Sequence, residues 1–65
     1  MTVIVNGEKT ELPDGETVHA LIARHKLTDD KVAVELNRRL LKRNLYETVL
    51  KDGDAIEIVT FVGGG

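Results

Sequence analysis

Apolar and polar residues alternate at both ends of this 65-residue chain and recur at three- and four-residue intervals between them. Thr2–Val5 is β-branched throughout and runs into Asn6-Gly7, a strong hairpin signal, so Glu8–Leu12 is the predicted return strand. Alternation puts Met1, Val3 and Val5 on one face and Ile4 on the other. After the turn Pro13-Asp14-Gly15, Thr17 reads as a helix N-cap with Asp14 and Glu16 near the positive end of the dipole. Val18, Leu21, Ile22 and His25 follow at helical spacing, predicting a helix over Thr17–His25 that ends where the cations His25 and Lys26 suit the dipole. A third strand is expected at Val32–Leu36, with Val32, Val34 and Leu36 on one face, and a short extended piece at Leu40-Leu41 after the polar turn Asn37–Arg39. Arg43–Tyr46 carries no clear period and suits a 3₁₀ turn. The turn Lys51–Asp54 leads to a final strand over Ala55–Val62, with Ile56 and Ile58 on one face and Glu57, Val59 and Phe61 on the other.

A long apolar strand at a sheet edge is an aggregation template, so the last strand belongs in the centre, beside and parallel to the first. One helix covers one face of such a sheet. The expected fold class is α+β, a mixed-sheet roll with one main helix and a core of Val3, Val5, Leu12, Val18, Leu21, Ile22, Val32, Val34, Leu50, Ile56 and Ile58.

Size and composition narrow the function. A chain this short forms one domain and buries roughly 60% of its unfolded surface. Without cysteine there is no disulfide, thiolate metal site or thiol nucleophile. The longest apolar run, Ala20–Ala23, is far too short for a membrane span or signal-peptide core, so a cytoplasmic protein is expected. A net charge of −2, with Tyr46 and Phe61 the only aromatics, argues against nucleic-acid binding.

The chemistry-bearing stretch is the end of the chain. Three glycines, Gly63, Gly64 and Gly65, follow the last strand. Such a tail adds nothing to the fold, since glycine loses the most entropy on ordering and has no side chain to bury. It offers a slender rod ending in a carboxylate, able to enter a narrow cleft; a frayed end or a linker is the plainer alternative. Ile4, Val59, Phe61 and Val62 are candidates for an apolar docking patch beside it, on the sheet face away from the helix. Arg38, Arg39, Lys42 and Arg43 gather four basic residues in a stretch that is either a solvated turn or a contact for an acidic partner surface. His19 and His25 read as surface helix residues, and no metal site is expected. Glu16, Glu35 and Glu57 show no paired-carboxylate spacing, and Gly7, Gly15 and Gly53 read as turn residues.

The Asn6-Gly7 hairpin, the segment Val32–Asn37, the turn Lys51–Asp54 and the ending Ile56–Gly65 together resemble the thiamine-biosynthesis sulfur carrier (ThiS) family of the MoaD/ThiS superfamily, end to end and without insertions. The resemblance implies a ubiquitin-like β-grasp domain over 1–62 and a flexible glycine tail over 63–65. It implies that the Gly65 carboxylate is adenylated by an ATP- and Mg²⁺-using enzyme related to ubiquitin-activating enzymes (ThiF-like), with Gly63 and Gly64 threading into its cleft. Sulfur from a persulfide protein then displaces AMP and leaves a thiocarboxylate for a thiazole synthase (ThiG-like). On this reading the chain is not an enzyme but a protein cosubstrate, monomeric when free, that binds no cofactor and needs no proteolytic maturation. A molybdopterin-type sulfur carrier, a ubiquitin-like modifier forming isopeptide bonds, and a scaffold domain with an inert tail remain the alternatives at the level of sequence.

Overall fold

The computed structural model describes residues 1–61. Its elements are β1 (Thr2–Val5), β2 (Glu8–Glu11), α1 (Val18–Arg24), β3 (Val32–Leu36), β4 (Arg39–Leu41) and β5 (Ala55–Thr60), with 3₁₀ turns at Asp29–Lys31 and Arg43–Leu45. One five-stranded sheet has the order β2-β1-β5-β3-β4. β5 lies at its centre, parallel to β1 (Ile4 opposite Ala55, Val5 opposite Ile56) and antiparallel to β3 from Val32–Thr60 to Leu36–Ile56. This is the expected β-grasp roll.

Alternation does the sorting. Val3, Val5, Val32, Val34, Ile56 and Ile58 turn toward α1, which returns Val18, Leu21 and Ile22; Leu12 and Leu50 close the ends. All eleven residues expected in the core are buried. Two more join them. Tyr46 is 4% exposed and Glu16 is 7% exposed.

Tyr46 is explained by what the segment after β4 does for the helix. The Thr17 hydroxyl accepts from Ala20 N–H (3.0 Å), while Val18 and His19 N–H donate to the carbonyls of Thr48 (3.1 Å) and Tyr46 (2.8 Å). Three helix-start donors that would otherwise lack partners are thus satisfied, two of them by a non-local segment. That segment is held by a bridge between Thr17 and Val49 and by Leu50 N–H donating to Glu16 C=O (2.8 Å). At the other end Lys26 (φ 62°) takes the left-handed position of a Schellman motif, with Lys26 N–H on Ala23 C=O (2.9 Å) and Leu27 N–H on Ile22 C=O (3.2 Å).

Both hairpins turn through two positive-φ residues, Asn6-Gly7 (50°, 85°) and Asn37-Arg38 (52°, 70°), as two-residue turns matched to strand twist require. Each turn asparagine also grips β5. Asn6 Oδ1 accepts from Ile58 N–H (2.7 Å) and its Nδ2 donates to Ile58 C=O (3.4 Å), extending the β1 pairing by a side chain. Asn37 Oδ1 accepts from Ala55 N–H (2.9 Å), and its Nδ2 donates to Asp54 Oδ1 (3.0 Å). Removing either amide leaves a strand N–H without its partner and a side chain with no local hydrogen bond in a left-handed conformation. Asn6→Ala is expected to cost about 2 kcal/mol and the more exposed Asn37→Ala about 1 kcal/mol, as measured by urea unfolding.

Candidate functional site

Of the residues singled out for docking, Ile4, Val59 and Phe61 lie on the sheet face that α1 leaves open. On β5 this face carries Ala55, Glu57 and Val59, and the ladder continues to Phe61, whose N–H donates to Lys31 C=O (2.9 Å). Val59 and Phe61 are 58% and 56% exposed. Ala33 on β3 stands opposite Val59, so these three share one end of the face, beside the exit of the chain. Ile4 is on the same face but opposite Ala55. Four residues of strand separate it from Val59, about 13 Å, so the structure does not bring Ile4 to the other candidates. Val62, Gly63, Gly64 and Gly65, and with them the expected tail boundary at 62/63, lie outside the described residues.

Between the two apolar ends the register produces a feature that sequence spacing did not show. Glu35 stands directly opposite Glu57, both exposed, and Leu40 (70% exposed) flanks Glu35 on β4. Sequence spacing supported no paired-carboxylate geometry for Glu16, Glu35 and Glu57; the ladder sets two of them, Glu35 and Glu57, opposite each other. Residues 22 apart in sequence become lateral neighbours through the antiparallel ladder, which no local pattern encodes.

Glu16 has a different role. Arg24 donates to it through Nε (2.9 Å to Oε2) and Nη2 (3.0 Å to Oε1). The carboxylate thus ties the entry of α1 to its last turn, and the first turn of the helix contains no acid. The Arg24 hydrogen bond, aided by its charge, holds the Glu16 carboxyl below the usual carboxylate range against the opposing effect of burial. His19 Nδ1 faces the Asp29 carboxylate (2.9 Å), and that hydrogen bond and charge raise its pKa. Both are fastenings of α1 on the side of the molecule away from the open face. Arg38, Arg39, Lys42 and Arg43 are exposed around β4, and Arg38 holds a left-handed backbone that glycine would take without strain. A groove of about 230 Å³ between the end of α1 and the sheet is lined by Asn6, His25, Leu27, Ile58 and Thr60 among others. Among the described residues no cluster of three or more His, Asp or Glu is arranged to hold a metal, and no helix is long and apolar enough to cross a membrane.

A helix on one side of a five-stranded mixed sheet, and on the other an open face leading along the central strand to a glycine run, define a ubiquitin-like β-grasp domain. The chain belongs to the ThiS family, whose model matches residues 3–65. It superposes on the crystal structure of a thiamine biosynthesis protein (ThiS) from Geobacter metallireducens with a TM-score of 0.81 at 36% identity, covering 100% of both chains. It is 43% identical over 53 residues to the sulfur carrier protein ThiS of Bacillus subtilis, covering 80% of each. It is also 39% identical over 66 positions to a thiazole synthase of Paramagnetospirillum magneticum, of whose length the chain spans 20%.

The two fastenings of α1 give opposite pH dependences. The Glu16–Arg24 contribution is complete above the unfolded carboxyl pKa of 4.5 and is lost as pH falls through the lower folded value. The His19–Asp29 contribution is complete below the unfolded imidazole pKa of 6.5 and is lost as pH rises through the higher folded value. Thermal unfolding across pH 2–9 is expected to show a small loss of Tm on the alkaline side that His19→Gln removes, and an acid-side loss that Glu16→Gln reduces.

Proposed function

We propose that the protein is a sulfur carrier of thiamine biosynthesis whose reactive group is the carboxylate of Gly65. The observation that carries this reading is the match to the Geobacter ThiS structure over all of both chains. The similarity to one fifth of a thiazole synthase supports that enzyme class as the recipient of the sulfur, in preference to a pterin or a lysine side chain.

A carboxylate is a poor electrophile, because its charge repels nucleophiles and it has no good leaving group. In the proposed sequence a ThiF-like partner binds ATP and Mg²⁺, and a Gly65 carboxylate oxygen attacks the α-phosphorus, releasing pyrophosphate. The terminal sulfur of a persulfide protein then attacks the acyl carbon and expels AMP, giving an acyl disulfide. A second thiol attacks its distal sulfur, forming a disulfide with the former donor and freeing a thiocarboxylate on Gly65. Apart from the Gly65 carboxylate itself, the carrier supplies no base, nucleophile or metal to these steps. It acts in the cytoplasm as a monomeric cosubstrate that binds no cofactor of its own.

What the chain contributes is presentation. Gly63–Gly65, when extended, reach about 10 Å, enough to carry the carboxylate into a cleft while the globular body stays outside. Val59 and Phe61, with Ile4 at the far end of the same face and Val62 next in the sequence, are the residues proposed to dock against the activating enzyme.

With ATP, Mg²⁺, the adenylating partner and a persulfide donor, the C-terminal peptide is expected to gain the mass difference between sulfur and oxygen, as read by mass spectrometry. Deleting Gly65 draws the terminal carbon back by about 3.4 Å, and a misplacement of about 1 Å already costs on the order of 100-fold, so activation should fall at least that far. Gly64→Val should impair activation more than Gly63→Val, because the branched side chain enters deeper into the cleft. Sulfur found on any other residue, or activation of the deleted form at the wild-type rate, would refute the reading.

Phe61→Ala and Val59→Asp are expected to change folding stability by about 0.5 kcal/mol or less, since both side chains are exposed, while weakening binding to the adenylating partner. Titration calorimetry alongside thermal unfolding separates the two effects.

A further inference from the structure

β5 runs on past the end of β1. Ile4 N–H donates to Asp54 C=O (2.8 Å) and Asn6 N–H to Ile56 C=O (2.8 Å), so Asp54 and Ile56 turn their main-chain groups toward β1. Ile58 does the same and is met by the Asn6 amide. Ala55 and Phe61 bond on the opposite side, to Asn37 and Lys31. By this alternation Thr60 presents its N–H and C=O to the β1 side. There β1 has stopped at Val5, opposite Ile56, and Asn6 reaches no farther than Ile58. Among the described residues no strand or side chain bonds either main-chain group of Thr60. At this one residue a central strand has the open edge of an outer one.

The groove of about 230 Å³ adjoins this gap, with Asn6, Ile58 and Thr60 in its lining. Val5, Leu27 and Ile58 give it apolar walls. Glu8 is the one carboxylate in the lining, which has no lysine or arginine, and Glu8 takes part in no ion pair among the described residues. A donor and an acceptor on a strand edge, beside an apolar hollow, match an extended main chain, which returns an acceptor and a donor and sets one side chain in the hollow. A basic residue next to that side chain complements Glu8. Thiazole synthases of Paramagnetospirillum magneticum and Magnetococcus marinus each contain a stretch similar to this whole chain, which spans 20% of their length. A stretch joined to an enzyme in one polypeptide meets that enzyme's surface at high effective concentration. We propose that an extended segment of the thiazole synthase adds to β5 at Thr60, with an apolar side chain in the groove and a basic one toward Glu8. The proposal rests on the carrier reading above and assigns the recipient enzyme a contact on the helix side of the sheet, apart from the open face of Val59 and Phe61.

The test measures affinity of the full chain for the thiazole synthase by titration calorimetry, and amide hydrogen exchange of the free and bound carrier. Thr60→Pro deletes the free N–H and keeps the β3 ladder, because proline is tolerated where a strand N–H has no ladder partner. Thr10→Phe fills the groove from β2 and leaves the β5 main chain as it is. Glu8→Lys reverses the charge in the lining, with Glu47→Lys, near the start of α1, as its control. Binding is expected to slow exchange of the Thr60 amide about tenfold or more. Thr60→Pro and Thr10→Phe should each weaken binding about fivefold or more. Glu8→Lys should weaken it at low salt more than at high salt, while Glu47→Lys binds as wild type does. Should Thr60→Pro not fold, Thr10→Phe and the exchange of Thr60 decide. Unchanged exchange at Thr60 in the complex, or wild-type affinity of Thr10→Phe, overturns the proposal and leaves the carrier reading intact. So does protection of Thr60 by the adenylating protein, or by a second copy of the carrier, without protection by the thiazole synthase. A wild-type carrier that takes up no sulfur and that the thiazole synthase does not bind overturns both.

Discussion

The structure depends on how its last strand is held. β5 has the longest ladder in the sheet and pairs with a strand on each side, yet its pairing with β1 covers only two residue pairs. Asparagine side chains make up the difference. Asn6 supplies a peptide-like donor and acceptor to Ile58 where β1 has already turned away, and Asn37 does the corresponding work at Ala55. In each case the residue that permits the positive-φ turn also clamps the central strand, so hairpin geometry and β5 placement form a single constraint. The chain segment on which the functional reading turns therefore emerges from the best-secured part of the sheet.

Much of this was legible in sequence because it is periodic. Alternation in Thr2–Val5, Val32–Leu36 and Ala55–Thr60 assigned faces correctly, and Thr17 with the stripe Val18, Leu21 and Ile22 located the helix to within a residue at either end. What was missed is non-local. Tyr46 lies in a segment without a period, and its burial follows from the helix start needing carbonyl partners. Glu16 is bound by Arg24 at a separation of eight, outside the three- and four-residue pairs that a helix makes visible. For the candidate site, the faces of Val59 and Phe61 could be read, but the distance of Ile4 and the meeting of Glu35 with Glu57 are properties of register between distant strands.

The two faces of the sheet obey different rules. The helix side is closed, with its polar groups satisfied: no buried side-chain nitrogen or oxygen among the described residues lacks a partner. The open side retains exposed Val59, Phe61 and Leu40 together with two like charges in register. A surface under selection for stability alone would replace these first. Val59 lies on β5 and Phe61 just beyond it, and the docking surface proposed above accounts for their exposure.

The central position of β5 also has a mechanical consequence. A partner that draws on the chain beyond Phe61 while the open face is docked pulls along the axis of a strand bonded on both flanks. The hydrogen bonds to β1 and β3 then share the load in shear and must fail together, whereas an edge strand peeled sideways would yield one bond at a time. On the carrier function proposed above, the domain can thus be gripped by its end without the grip becoming a route to unfolding.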